Sequence, residues 1–204
     1  MLGEKLGEFE SGALAADLRL DALLAAKASP SPALNERAAA IEAKLPPADG
    51  MPGIYALAGS GGDPAAGADI FRTHIAAQCS RCHRIGKTGD PADMSDVGPN
   101  LAGVATRRDA AYLLRALLNP SADIDPAFRM QLVTKTNGEV VAGAVLNEGY
   151  DFIEIGLGAG EPQRIAKSAI AKHEPQNVSI MPPMAGILSP AEVRDVLAFL
   201  KMLK

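Results

Sequence analysis

The stretch Cys79-Ser80-Arg81-Cys82-His83 constrains this chain more than any other, because it packs both of its cysteines and one of its three histidines into five residues. A disulfide across two intervening residues closes so short a loop that it removes little chain entropy and makes a poor structural staple. Metal binding, thiol redox chemistry or covalent attachment are the remaining roles. Two thiols at i and i+3 on a helical turn reach the two vinyl groups of one haem, and the adjoining imidazole then lies under the iron. The spacing therefore implies one covalently attached haem c with its iron on His83. Two rival readings fit less well. A zinc site needs four ligands, and no second cysteine pair exists to complete it. A thioredoxin-like pair follows a buried strand at a helix start, and "FRTHIAAQ" ahead of Cys79 has no strand pattern.

The rest of the chain must build a pocket for that group. With 204 residues it has length for one to two domains, and 48% hydrophobic against 22% charged residues suits a globular core. Aromatic residues are only 4%, so small-residue helices and long loops are expected. A net charge of −4 leaves no electrostatic footprint for nucleic acid. No apolar run approaches the roughly 18 residues that span a bilayer. "MLGEKLGEFESG" lacks a basic region followed by an apolar stretch, so no secretory signal is expected in this chain.

Residues 1–45 read as a hairpin of two helices. In the first, Leu14, Leu18 and Ala22 form a stripe. The second opens with Ser31 as N-cap and Pro32 at its first position, and Leu34, Ala38, Ile41 and Leu45 recur at helical spacing. Residues 46–63, rich in Pro, Gly and Asp, read as a linker anchored by Ile54, Tyr55 and Leu57. A third helix starts near Asp63-Pro64. Residues 86–106 read as loop. "RRDAAYLLRALLNP" is a helix capped by Asp109 and stopped by Pro120, with Leu113, Ala116 and Leu117 buried.

Beyond it the pattern changes. "FRMQLVTKTNGEVVAGAVL" alternates on both sides of Asn137-Gly138, a hairpin signal because both turn residues tolerate positive φ. "YDFIEIGLGAGEPQRIA" adds a strand, a Gly-Ala-Gly turn and a short return strand. About four antiparallel strands are thus expected over 128–167. The final helix has Ser189 and Glu192 as a capping box, Pro190 at its first position and a stripe of Val193, Val196, Leu197 and Leu200.

A haem held by one histidine leaves a sixth position. The candidates are His74, His173, Met51, Met94, Met130, Met181, Met184 and Met202. "NVSIMPPMAGI" stands out, because Pro182 and Pro183 stiffen the loop that would carry a thioether. The plainer reading of Met181 and Met184 is core or loop filler. His173 reads as a solvated loop residue. His74 lies too near the attachment residues to cross to the far face and reads as packing or surface.

Residues 64–204 resemble a class I type c-type cytochrome domain, and more narrowly the bacterial haem-binding modules found at the C-terminal ends of larger multidomain proteins. Gly67 and Phe71 match the Gly/aromatic pair of the first helix, which crosses the last helix at close range. Cys79, Cys82 and His83 match the attachment motif. "VGPNLAGV" matches the Gly-Pro-x-Leu loop, which implies that the Pro99 carbonyl accepts the Nδ1–H of His83 and that Leu101 packs on the haem face. "IMPP" matches the distal Met-Pro and implies Met181 as sixth ligand, with Met184 the alternative. "LAFL" matches the end of the closing helix, with Phe199 near Gly67. The implied fold is mainly α: a class I cytochrome c-like helical core with a small antiparallel β-sheet insertion, preceded by the N-terminal helical hairpin.

The resemblance further implies a one-electron carrier and not an enzyme, relaying electrons from a dehydrogenase domain or partner. No transmembrane segment and no nucleic-acid partner are expected, and the location implied is periplasmic or otherwise extracytoplasmic. Two other classes remain open at this stage. One is a haem with an open or labile sixth site, for peroxidase or gas-sensing chemistry. The other is a partner-docking module whose haem senses redox state. On the same expectation residues 1–45 are the end of a larger helical domain.

Overall fold

The computed structural model describes residues 1–86, 97–157 and 161–204. Three helices open the chain: α1 (Leu2–Glu10), α2 (Ala16–Lys27) and α3 (Pro32–Glu42). The expected two-helix hairpin is thus corrected to three. α1 carries Gly3 and Gly7, which weaken its helical signal, and it forms because Leu6 is fully buried against its neighbours. In α2 the buried face is Leu20, Ala22, Leu23 and Ala26; of the expected stripe Leu14 and Ala22 are buried while Leu18 is exposed. α3 has Pro32 at its start and buries Ala38 and Ile41 as its spacing predicts.

The linker includes a 3₁₀ segment, Gly53–Gly59, in which Ile54 and Tyr55 are buried and Leu57 packs on the core. It leads to α4 (Pro64–Thr73), capped by Asp63, whose carboxylate accepts the Ala65 N–H at 2.8 Å. A short turn, α5 (Cys79–Cys82), carries the thiols. Within the expected loop the residues 87–96 lie outside those described, and Val104–Arg107 form a helical turn, α6. α7 (Ala110–Leu118) is capped by Asp109, which accepts the Tyr112 N–H at 2.7 Å. α8 (Pro190–Leu200) shows the full capping box of Ser189 and Glu192.

Between α7 and α8 lies an antiparallel sheet of β1 (Arg129–Lys135), β2 (Val140–Glu148), β3 (Phe152–Gly156), β4 (Gln163–Ala166) and β5 (Ile170–Ser179), in the order β4-β3-β2-β1-β5. The first part of β2 pairs with β1 and the second with β3, and a register shift between Val145 and Asn147 bends the strand. The sheet thereby encloses its own small core of Val133, Ile153, Ile155 and Ile165. At the β1–β2 turn only Gly138 takes positive φ, at +86°, and Asn137 instead accepts the Glu139 N–H on its side chain. The Gly-Ala-Gly turn at 158–160 lies outside the described residues.

The mainly α expectation is overturned. With 43% helix, 20% strand and five paired strands, the chain is an α+β structure and not a class I cytochrome c-like helical core with a small sheet. The missed element is β5. Its sequence, IAKHEPQNVS, is polar and carries Pro175, which would exclude it from a central strand. At the edge it needs no apolar face, and the free side of β1 supplies its backbone partners. His173, expected in a loop, is an exposed residue of this edge strand, paired with Val133.

Helices α1–α4 and α6–α8 bury residues in one apolar cluster, running from Leu6 and Leu23 through Ile54, Phe71 and Leu117 to Val193 and Leu197. Val104 of α6 joins it and Cys79 of α5 packs against it. Its tightest point is the α4–α8 crossing. A Cβ on Gly67 would lie 1.9 Å from the Asp195 carbonyl oxygen, so only glycine allows the approach. One turn along, the Phe71 and Phe199 rings meet at 5.5 Å between centroids. Gly67→Ala is expected to separate the helices and cost about 3 kcal/mol of stability. The check is the denaturant midpoint of the purified protein, which a neutral substitution would leave in place.

Candidate functional site

Gln78 turns the chain into the site. Its φ of +45° lies in the left-handed region, uncommon for a residue with a side chain, and places Cys79 at the start of α5. One turn then carries Cys79 and Cys82 on the same side, with His83 directly after. All three line one cavity of about 340 Å³. Its wall is mainly apolar and is drawn from α4, α7, α8 and the two loops around Pro99 and Met181.

The His83 ring is oriented by a hydrogen bond to the loop that follows. Its Nδ1 lies 3.0 Å from the Pro99 carbonyl oxygen. A carbonyl can only accept, so the proton is on Nδ1 and the Nε2 lone pair is left for a metal. Burial pushes the imidazole below the ordinary histidine range, and the Pro99 contact opposes this more weakly. The ring is therefore neutral at pH 7, as a metal ligand must be. Gly98 makes room for it: a Cβ there would lie 2.8 Å from His83 Cε1 and 2.8 Å from the Cys82 carbonyl oxygen.

Burial also raises both thiols above their usual range. Half-buried thiols with a raised pKa are poor nucleophiles, which weighs against dithiol redox catalysis. Among the described residues no group of three or more His, Cys, Asp or Glu side chains could hold a metal ion.

Leu101 lines the cavity and is tied by its N–H to the Arg84 carbonyl at 2.7 Å. Asn100 braces the same loop, donating to the Gly86 carbonyl and accepting from the Ala102 N–H. Met181 and Met184 both line the cavity. Met51, Met130 and Met202 do not, and Met94 lies outside the described residues. His74 is a half-buried residue at the end of α4, where its Nδ1 accepts the Ala77 N–H at 3.0 Å. It and the exposed His173 are likewise absent from the cavity wall.

Several wall residues carried no separate sequence signal. Tyr112 and Phe128 are examples, and Arg107 and Arg108 add cationic groups. Leu113, Ala116 and Leu117 had one, since their helical stripe marked them as buried, though not as facing a cavity.

This wall fits a haem. Two thiols and a neutral, oriented imidazole converge on an apolar cavity, and the loop behind the imidazole has glycine where any side chain would displace it. Residues 64–140 match the sequence profile of the Cytochrome c family. The chain carries a c-type cytochrome domain. No curated protein matches the chain. The cytochrome's cofactor is haem c with its iron, bound covalently, and its function is haem-based electron transfer. The match runs through β1 and ends at the first residue of β2. The Met181 loop and α8 follow the sheet, yet the fold returns them to the same cavity.

Cys79 and Cys82 would hold the haem through thioethers. A Cys79→Ser/Cys82→Ser variant, matured with haem, is expected to lose all of it to acid-acetone extraction, whereas the native chain keeps it. Haem that stays with the denatured variant would refute the attachment residues. Gly98→Ala is expected to displace the His83 ring and to lower the haem-to-protein ratio after maturation, measured by the pyridine haemochrome absorbance.

Proposed function

We propose that this cytochrome is a one-electron carrier, not an enzyme, with Cys79 and Cys82 as the attachment residues and His83 and Met181 as the axial ligands. Haem, when bound, supplies a one-electron iron couple. The protein's task is to hold that couple away from water with both axial positions closed, which favours electron transfer over binding of oxygen or peroxide.

The observation that carries this reading is the methionine pair in the wall of the His83 cavity. The surroundings of the pair favour Met181. Met184 is 2% exposed and packs in the core, its N–H donating to the Leu117 carbonyl at 2.8 Å. Met181 is half-buried, packed only partly on that core, and its N–H donates to Ser179 Oγ at 3.1 Å. Pro182 restricts Met181 to extended backbone, away from the loop's own interior.

The proposed partners are redox proteins: a dehydrogenase, fused or separate, as donor, and a second carrier as acceptor. The proposed location is extracytoplasmic, where thioether attachment takes place in the family. No helix among the described residues is long and apolar enough to cross a membrane.

Met181→Ala is expected to abolish the weak red absorption band of ferric Met–iron coordination, to lower the reduction potential and to let carbon monoxide bind the ferrous form. Met184→Ala is expected to keep the band while losing about 2–5 kcal/mol of stability, as a core truncation does. The reverse pattern would move the ligand by three residues. An unchanged band in both variants would refute methionine ligation.

A further inference from the structure

We infer that Tyr55, which precedes the cytochrome match, is a positioning residue for the sixth ligand. The inference rests on the reading of Met181 as that ligand. Tyr55 is buried, and its hydroxyl makes two hydrogen bonds to a single turn far along the chain. It donates to the Leu188 carbonyl at 2.8 Å and accepts the Gly186 N–H at 3.2 Å.

That turn is the far end of the methionine loop. Met184 sinks into the core, its carbonyl accepts the N–H groups of Ile187 and Leu188, and Gly186 reverses the chain at φ +93°. The phenol bridges the two sides of the reversal. Between the turn and Met181 lie Pro182 and Pro183, whose fixed φ angles leave few soft torsions. The position of the turn therefore sets the position of Met181. On its other side Met181 donates its N–H to Ser179 Oγ, and Ser179, paired with Arg129 at the end of β5, donates its own N–H to Ser121 Oγ at 3.1 Å. A thioether is a weak, neutral donor to iron, so its occupancy depends on how firmly its loop is held. Removing the phenol oxygen would leave the buried Leu188 carbonyl without this donor and release the Gly186 N–H, so the bridge across the turn is lost and the turn gives way.

The test is the affinity of imidazole for the ferric full-length holoprotein, since imidazole binds only where Met181 has left. Tyr55→Phe is expected to tighten imidazole roughly tenfold. In a Met181→Ala background the same substitution is expected to change it less than about twofold, because no thioether competes. Gly186→Ala, which strains the same turn with open space around the added methyl group, is expected to act in the same direction as Tyr55→Phe. A lower unfolding midpoint with unchanged imidazole affinity would make Tyr55 merely structural and overturn the inference. Equal tightening in both backgrounds would mean general loosening of the cavity and overturn it as well. If Met181→Ala by itself keeps the ferric Met–iron band, the ligation reading fails and takes the inference with it, an outcome distinct from the other two.

Discussion

The crossing of α4 and α8 at Gly67 is the contact on which the rest of the structure depends. The two helices lie more than a hundred residues apart in sequence, and the Asp195 carbonyl fills the space where any side chain at position 67 would stand. The crossing brings α5 with its thiols, which follows α4, close to the chain that leads into α8. Phe71 and Phe199 extend the contact by one turn, and the Arg72 guanidinium lies 5.7 Å from the Phe199 ring centroid. Without that approach the two ends of the cavity wall would have no common support.

The sheet is compatible with this arrangement because it leaves and rejoins the helical core at one place. Arg129, the first residue of β1, pairs with Ser179, the last of β5. The Ser179 N–H donates to Ser121 Oγ just beyond α7, so the exit is also tied to the entrance side. Fifty residues can therefore be accommodated without lengthening the path from α7 to the methionine loop. The sheet's separate core is consistent with this: Val133, Ile153, Ile155 and Ile165 pack among themselves and not with the helical cluster.

The chemistry of the site follows from burial. One desolvated environment keeps the imidazole neutral and the thiols protonated. Neutral groups suit a cavity that must receive a large apolar macrocycle, since an unpaired buried charge would oppose its entry. The single strong directional contact, His83 to Pro99, fixes the tautomer without introducing charge.

Much of this was legible locally. Cys79, Cys82 and His83 are adjacent in sequence, so their convergence needs no tertiary information. The caps at Asp109 and Ser189 were readable for the same reason, because a cap and the N–H it satisfies lie within three residues. Gly67, Phe71, Pro99 and Leu101 were placed by family resemblance; in the structure Gly67 abuts the Asp195 backbone, the Phe71 ring meets Phe199, the Pro99 carbonyl meets His83 Nδ1 and Leu101 lines the cavity. Three features required the folded chain. α1 carries Leu2, Leu6 and Phe9 at helical spacing around two glycines, and burial of Leu6 holds it. β5 has no strand pattern and exists because β1 offers an open edge. In "IMPPM" only Met181 precedes a proline, which favoured it as the ligand, but the different depths of Met181 and Met184 are not visible there. They arise because Leu117 and Tyr55, each distant in sequence, hold the second half of the loop in the core and leave the first half at the cavity. Short-range hydrogen bonding and side-chain spacing are encoded where they act, whereas edge pairing and the depth of a loop depend on which distant surface meets it.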